Sequence, residues 1–197
     1  IMIDSFLMLQ QQILERDLTE ILGQDETNFA VVTIHRPSNV DSEEGLSELT
    51  KQLIRVSTLV PLVFPVHPRT KSRLMESGYW ELLNECPRIH LLPPQGYVDF
   101  MSLVTRSQLV VTDSGGVQEE TTYLGIPCIT LRTNTERPIT VTQGTNRLVK
   151  IEDLWAVTKE ALTSGWHDSS VPTLWDGVTA ARVVDEIERL VDEKLIS

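Results

Sequence analysis

Short, nearly continuous apolar runs rich in β-branched residues recur along this chain, separated by segments of helical length. That alternation restricts the fold more than any other feature. The runs occupy residues 29–34, 62–66, 89–92, 109–112, 128–131 and 147–151. A strand that is apolar at successive positions, rather than at every second one, is covered on both faces. Between the runs, apolar residues return near a 3.6-residue period. They predict helices over residues 3–22, 41–59, 68–77, 97–106, 117–124, 152–163 and 178–196. Asp41 with Glu44 three positions on has the pattern of a capping box, and Gly23, Gly78 and Gly125 stand where helices can end. Strands alternating with helices give βαβ crossovers, hence an α/β fold with a parallel sheet and helices on both faces. At 197 residues one domain is expected. There are no repeats, and residues 164–177 read as a polar loop.

In such a sheet, ligands bind beyond the carboxyl ends of the strands. Five successive strand ends carry polar or glycine-rich segments: His35-Arg36-Pro37-Ser38-Asn39, His67-Pro68-Arg69, Pro93-Pro94-Gln95-Gly96-Tyr97, Asp113-Ser114-Gly115-Gly116 and residues 132–137. A single histidine after a strand is ordinarily structural, so it is the joint pattern that carries weight. Ser114-Gly115-Gly116 is its strongest part. A strand, two glycines and a helix start bring unpaired N–H groups and the positive dipole end to one point, where an anion such as a pyrophosphate binds. The spacing is neither GxGxxG nor GxxxxGK[ST]. Either Glu119 or Glu120 could accept a ribose diol, but both cannot face one site.

Composition excludes several function classes. The formal net charge is -11, and the acids are concentrated in residues 1–30 and 151–197 while the middle is balanced. Without a basic stripe the chain is a poor nucleic-acid binder. The longest apolar stretch, residues 59–66, is interrupted by Pro61 and Pro65 and is too short to span a membrane. No basic region precedes the opening Ile1-Met2-Ile3-Asp4, so no secretory signal is expected, and the opening does not look like a natural start. Cys86 and Cys128 show no metal-ligand spacing and read as reduced thiols, which fits the cytoplasm.

Taken in order, HRPSN, PVHPR, PPQGY, TDSGGVQEE and TERPITVTQGTNRLV resemble the non-hydrolysing UDP-N-acetylglucosamine 2-epimerase family, over nearly the whole chain and including Asp176-Gly177. The resemblance implies two Rossmann-like domains of GT-B type facing across a cleft, of which this chain is the C-terminal half. Residues 1–22 would be a linker helix from an N-terminal domain, and 23–197 the UDP-binding domain. His35 matches the histidine at the reacting sugar-phosphate, touching the diphosphate. Gln95 and Phe100 match residues at the uracil, and Ser114, Gly115 and Gly116 match the diphosphate loop. Glu120 matches the carboxylate on the ribose hydroxyls, and Arg137 matches an arginine that helps hold the phosphates. Arg36 and His67 match positions that touch a second, activating UDP-N-acetylglucosamine in bacterial members. Pro37-Ser38 replaces the Arg-Glu pair of many members, which counts against that regulation.

The implied reaction interconverts UDP-GlcNAc and UDP-ManNAc. The C2 proton and UDP leave to give a 2-acetamidoglucal, and both then return. The family uses no NAD, no metal and no other cofactor. A cytoplasmic homodimer of the full-length protein is implied, with neither nucleic acid nor membrane as partner. Two further readings stay open at this stage: the donor-binding domain of a GT-B glycosyltransferase, and a non-catalytic UDP-sugar-binding module. The strand-one His-Arg and the TERP segment count against the transferase. In the family the groups acting on the two faces of the sugar come from the N-terminal half, so this chain alone is expected to bind without turnover.

Overall fold

The six apolar runs form six strands: β1 (Ala30–Thr33), β2 (Leu62–Pro65), β3 (Ile89–Leu92), β4 (Leu109–Thr112), β5 (Cys128–Thr130) and β6 (Asn146–Leu148). They come from a computed structural model that describes residues 1–22, 28–164, 166 and 169–193. All strand pairings are parallel, and the order across the sheet is β3-β2-β1-β4-β5-β6. This is the doubly wound Rossmann arrangement, in which the order reverses between β1 and β4.

Successive strand residues point to opposite faces, and each face has its own core. Ala30, Val32, Leu62, Phe64, Leu109, Val111 and Ile129 belong to one cluster, while Val31, Val63 and Val110 belong to the other. The first cluster is closed by α4 (Glu43–Ser57), α5 (Pro68–Glu76), α6 (Tyr79–Asn84) and α10 (Leu154–Thr163), and the second by α1 (Met2–Glu15), α7 (Tyr97–Arg106) and α8 (Gly115–Leu124). Phe6 and Ile13 of α1 are fully buried against Phe29 and Met101, so the segment expected as a linker helix packs as a layer of this sheet.

Several boundaries differ from expectation for local reasons. The helix expected over residues 3–22 breaks at Arg16, which is extended. Arg106 donates to the carbonyls of Ile13, Leu14 and Arg16 and so closes α1. Asp17 then accepts from the Thr19 N–H to open α2 (Thr19–Leu22), and Gly23 lies outside the described residues. The cap of α4 is Ser42, whose Oγ accepts the Gly45 N–H at 3.0 Å. Asp41 is drawn away by Arg69 and Arg73. Three short helices carry too little periodicity to be read from sequence: α3 (Pro37–Val40), α6 and α9 (Pro138–Thr142). The last helix, α11 (Thr179–Asp192), is expected to run to residue 196, but 194–197 lie outside the described residues. No helix among the described residues is long and apolar enough to cross a membrane.

Candidate functional site

The site is built at the reversal between β1 and β4, whose four register pairs run from Ala30 opposite Leu109 to Thr33 opposite Thr112. The next residues in each strand, Ile34-His35 and Asp113-Ser114, therefore leave the sheet side by side. Asp113 is 0% exposed, yet it is not isolated. It accepts from the backbone N–H of His35 (3.0 Å) and of Arg36 (2.8 Å) and from Asn39 Nδ2 (2.9 Å). Its Oδ1 also lies 3.1 Å from His35 Nδ1. Burial alone would raise its carboxyl, but the His35, Arg36 and Asn39 hydrogen bonds hold it below its ordinary value. The same bond to Asp113 raises His35 above its ordinary value, against the opposing effects of burial and Arg36.

His35 and His67 stand with ring centroids 5.2 Å apart. His67 caps α5, its Nδ1 accepting the Arg69 N–H at 3.2 Å. These two rings line a cleft of about 230 Å³ with Gln95, Phe100, Ser114, Pro65, Pro94 and Val117. Five of the residues singled out in the sequence are thus brought together: His35, His67, Gln95, Phe100 and Ser114. Arg36 turns the other way. Its Nε donates to the Asp113 carbonyl at 2.9 Å, and its guanidinium lies 3.5 Å from Glu136. It lines a separate cleft of about 430 Å³ with Arg132, Asn134 and Lys150. Arg36 and His67 therefore line different clefts, and the ring beside His67 is that of His35.

Helix α8 begins at Gly115, two residues before the sequence-based boundary. Ser114 makes no side-chain cap, and its N–H donates to Thr112 Oγ1 at 3.0 Å. A Cβ on Gly115 would meet only Glu136 Oε2, at 3.9 Å, so this glycine is open on the strand-end side. A Cβ on Gly116 would come 3.1 Å from Met2 Cε, so the second glycine is where α1 approaches. Glu120, further along α8, is buried and accepts from the Tyr97 hydroxyl at 2.9 Å. Burial raises its carboxyl to about 7; the Tyr97 bond opposes this and the Glu119 charge adds to it. Arg137 is paired with Glu119 at 2.9 Å.

Sequence reasoning missed what holds the 132–137 loop. Gln118 Oε1 accepts from Thr135 Oγ1 (2.6 Å) and Asn146 Nδ2 (3.0 Å), while its Nε2 donates to the Ser114 carbonyl. Arg132 forks onto Glu136 and holds that carboxyl down at about 2. The signal in the sequence is an amide one helical turn after Ser114, inside a motif whose glycines and carboxylates draw the attention. Asp113, the first residue of the strand-end segment Asp113-Ser114-Gly115-Gly116, lies beneath His35, fully enclosed. Among the described residues, no three His, Cys, Asp or Glu side chains group as metal ligands.

Comparison with known proteins bears on this arrangement. A family model described as UDP-N-acetylglucosamine 2-epimerase matches residues 1–188. The UDP-N-acetylglucosamine 2-epimerase of Methanocaldococcus jannaschii is 41% identical over 126 residues, 63% of this chain and 34% of that protein. The UDP-2,3-diacetamido-2,3-dideoxy-D-glucuronate 2-epimerase of Pseudomonas aeruginosa is 38% identical over 125 residues, 63% of this chain and 34% of that protein. Among solved structures, the M. jannaschii UDP-GlcNAc 2-epimerase in complex with UDP-GlcNAc and UDP superposes with a TM-score of 0.79 at 31% identity. That match covers 94% of this chain and 53% of the other. The chain thus spans about half the length of that solved relative.

Proposed function

This chain belongs to the UDP-N-acetylglucosamine 2-epimerase family, and we propose that it is the UDP-sugar-binding half of an enzyme interconverting UDP-GlcNAc and UDP-ManNAc. The observation that carries the reading is the cleft at the β1/β4 reversal. It joins a histidine paired with a buried carboxylate, the start of α8, and an aromatic-and-amide wall from Phe100 and Gln95. In this reading the uracil lies against Phe100 and Gln95, and the diphosphate lies over Ser114-Gly115-Gly116. The His35 imidazolium faces the diphosphate, and Arg137 helps hold it. Glu120 accepts the ribose hydroxyls. Loss of the C2 proton requires assisted departure of UDP, and cationic and N–H donors aimed at the diphosphate stabilise the charge that develops there.

Inversion also needs a group on each face of the sugar ring. Among the described residues, His35 and His67 are the imidazoles that line this cleft, while Asp113 is enclosed beneath His35. The remaining groups would come from the other half of a full-length protein. The proposal therefore divides the reaction: binding and leaving-group stabilisation here, proton transfer at C2 across a cleft.

The test is incubation with UDP-GlcNAc in deuterated water, for this chain alone and fused to the N-terminal half of the M. jannaschii relative. Deuterium at C2 and UDP-ManNAc are expected only from the fusion. UDP-ManNAc from this chain alone would refute the division. UDP binding with no C2 exchange in the fusion would support a binding module, and sugar transfer to an acceptor would support a glycosyltransferase.

A further inference from the structure

We propose that Asp113 is the positioning residue for His35, fixing the imidazole with its proton on Nδ1 and presenting Nε2 to the diphosphate as a charged donor. This rests on the proposed function for its consequence, but its geometry does not. Asp113 lies at the end of β4 and His35 at the end of β1, so the bond ties the two strands at the reversal itself. Oδ2 is committed to the Arg36 N–H and Asn39 Nδ2, and the His35 N–H lies 3.0 Å from the same oxygen. Asn39 is buried and anchored from the other side through the Leu131 carbonyl at 3.0 Å. Held by these donors, the carboxylate cannot swing away from the ring, and an ionised carboxylate only accepts. The ring nitrogen facing Oδ1 must therefore carry a proton.

The other charged or titratable groups around the ring fit this assignment. From β2 comes His67, whose Nδ1 already accepts the Arg69 N–H, so the proton of that ring sits on Nε2. From the chain's next position comes Arg36, which points to the Asp113 carbonyl and to Glu136. Glu136 itself is forked by Arg132. Asp113 is thus the carboxylate bonded to His35, and its fixed acceptor selects the tautomer while its charge favours the imidazolium. Directed this way, Nε2 donates to a phosphate oxygen as negative charge develops on departing UDP.

The test reads the ring directly. Long-range proton–nitrogen correlation on uniformly labelled protein, with His35 assigned by its loss in His35→Gln, reports tautomer and titration midpoint. The wild type should hold neutral His35 with the proton on Nδ1, the minority form of free imidazole, and titrate above the ordinary histidine value. In Asp113→Asn the midpoint should fall by roughly one to three pH units, as expected on losing an opposite charge at hydrogen-bond distance. Asn39→Ala, which removes a donor to Asp113 without touching the ring, should keep the midpoint above that of Asp113→Asn. UDP affinity in the wild type should decline as pH rises through the His35 midpoint, and in Asp113→Asn that decline should begin lower by the same interval. A wild-type proton on Nε2, or an unchanged midpoint in Asp113→Asn, would overturn the proposal. If Asp113→Asn does not fold, the wild-type tautomer and midpoint still decide. Absence of UDP binding at every pH, with tautomer and midpoint as stated, would sink the functional reading and leave the His35–Asp113 assignment standing.

Discussion

Asp113 and Glu120 belong to the same β4–α8 unit and are almost equally hidden, at 0% and 3% exposure, yet their carboxyl groups are driven in opposite directions. Burial is the largest influence on both, and it favours the neutral form of each. The outcome differs because of donors. Asp113 is met by His35, Arg36 and Asn39 and stays ionised below its ordinary value. Glu120 is met by the Tyr97 hydroxyl, has Glu119 beside it, and is pushed up to about 7. Burial therefore does not fix the charge of a site; the supply of hydrogen-bond donors does. In the proposed function the contrast has a use. Asp113 is completed by the protein and orients His35, whereas Glu120 receives its further donors from ribose hydroxyls.

The largest way to break the contrast is Asp113→Ala, which strands two backbone N–H groups and the Asn39 amide in the interior. Removing one side of a buried ionic cluster costs roughly 3–5 kcal/mol, so the urea midpoint should drop sharply. A loss within error of zero would mean that the carboxylate is not organising the strand ends. The pH dependence separates the two groups next. Glu120 has a raised value, so its contribution is present below 4.5 and is lost as pH climbs to about 7. Asp113 has a lowered value, so its contribution is present above 3.8 and is lost as pH falls below that. His35 adds stability that is lost as pH rises through its raised value. Stability should therefore peak on the mildly acidic side, and Glu120→Gln should flatten the slope between about 4.5 and about 7. If Glu120→Gln leaves that slope unchanged, Glu120 is not its source.

Glu120→Gln also sharpens the comparison through ligand. It keeps an acceptor for Tyr97 but weakens the ribose contact, and should reduce UDP affinity by about 1–3 kcal/mol. Calorimetry showing equal affinity in both proteins would remove Glu120 from the site. The smallest effect expected is Tyr97→Phe, which takes away the hydroxyl donor to Glu120 and should cost about 1 kcal/mol of stability at neutral pH. Gain of stability there would show that the pair is already strained.

The sheet was legible because its strands are apolar on both faces, and β3, α7 and β4 fall at the residues their patterns mark. The strand ends were legible too, since polar segments after five apolar runs have few other uses. What escaped was whatever depends on distant partners. Asp17 and Arg106 break α1, and Ser42 outcompetes Asp41 because two arginines of α5 claim the latter. The partners of Asp113 lie 74 to 78 positions away, so nothing adjacent to it announced its role. Arg36 likewise reads as sharing a cleft with His67, but its contacts with the Asp113 carbonyl and Glu136 turn it toward another.

Isothermal titration of the purified chain with UDP and, separately, with uridine tests most directly whether the β1/β4 crevice holds a diphosphate. One equivalent of UDP should bind, at least about tenfold more tightly than uridine, because charge-assisted hydrogen bonds contribute roughly 1.5–3 kcal/mol each. Equal affinity for the two would contradict it, since His35 and the Ser114-Gly115-Gly116 turn would then have no anion to hold.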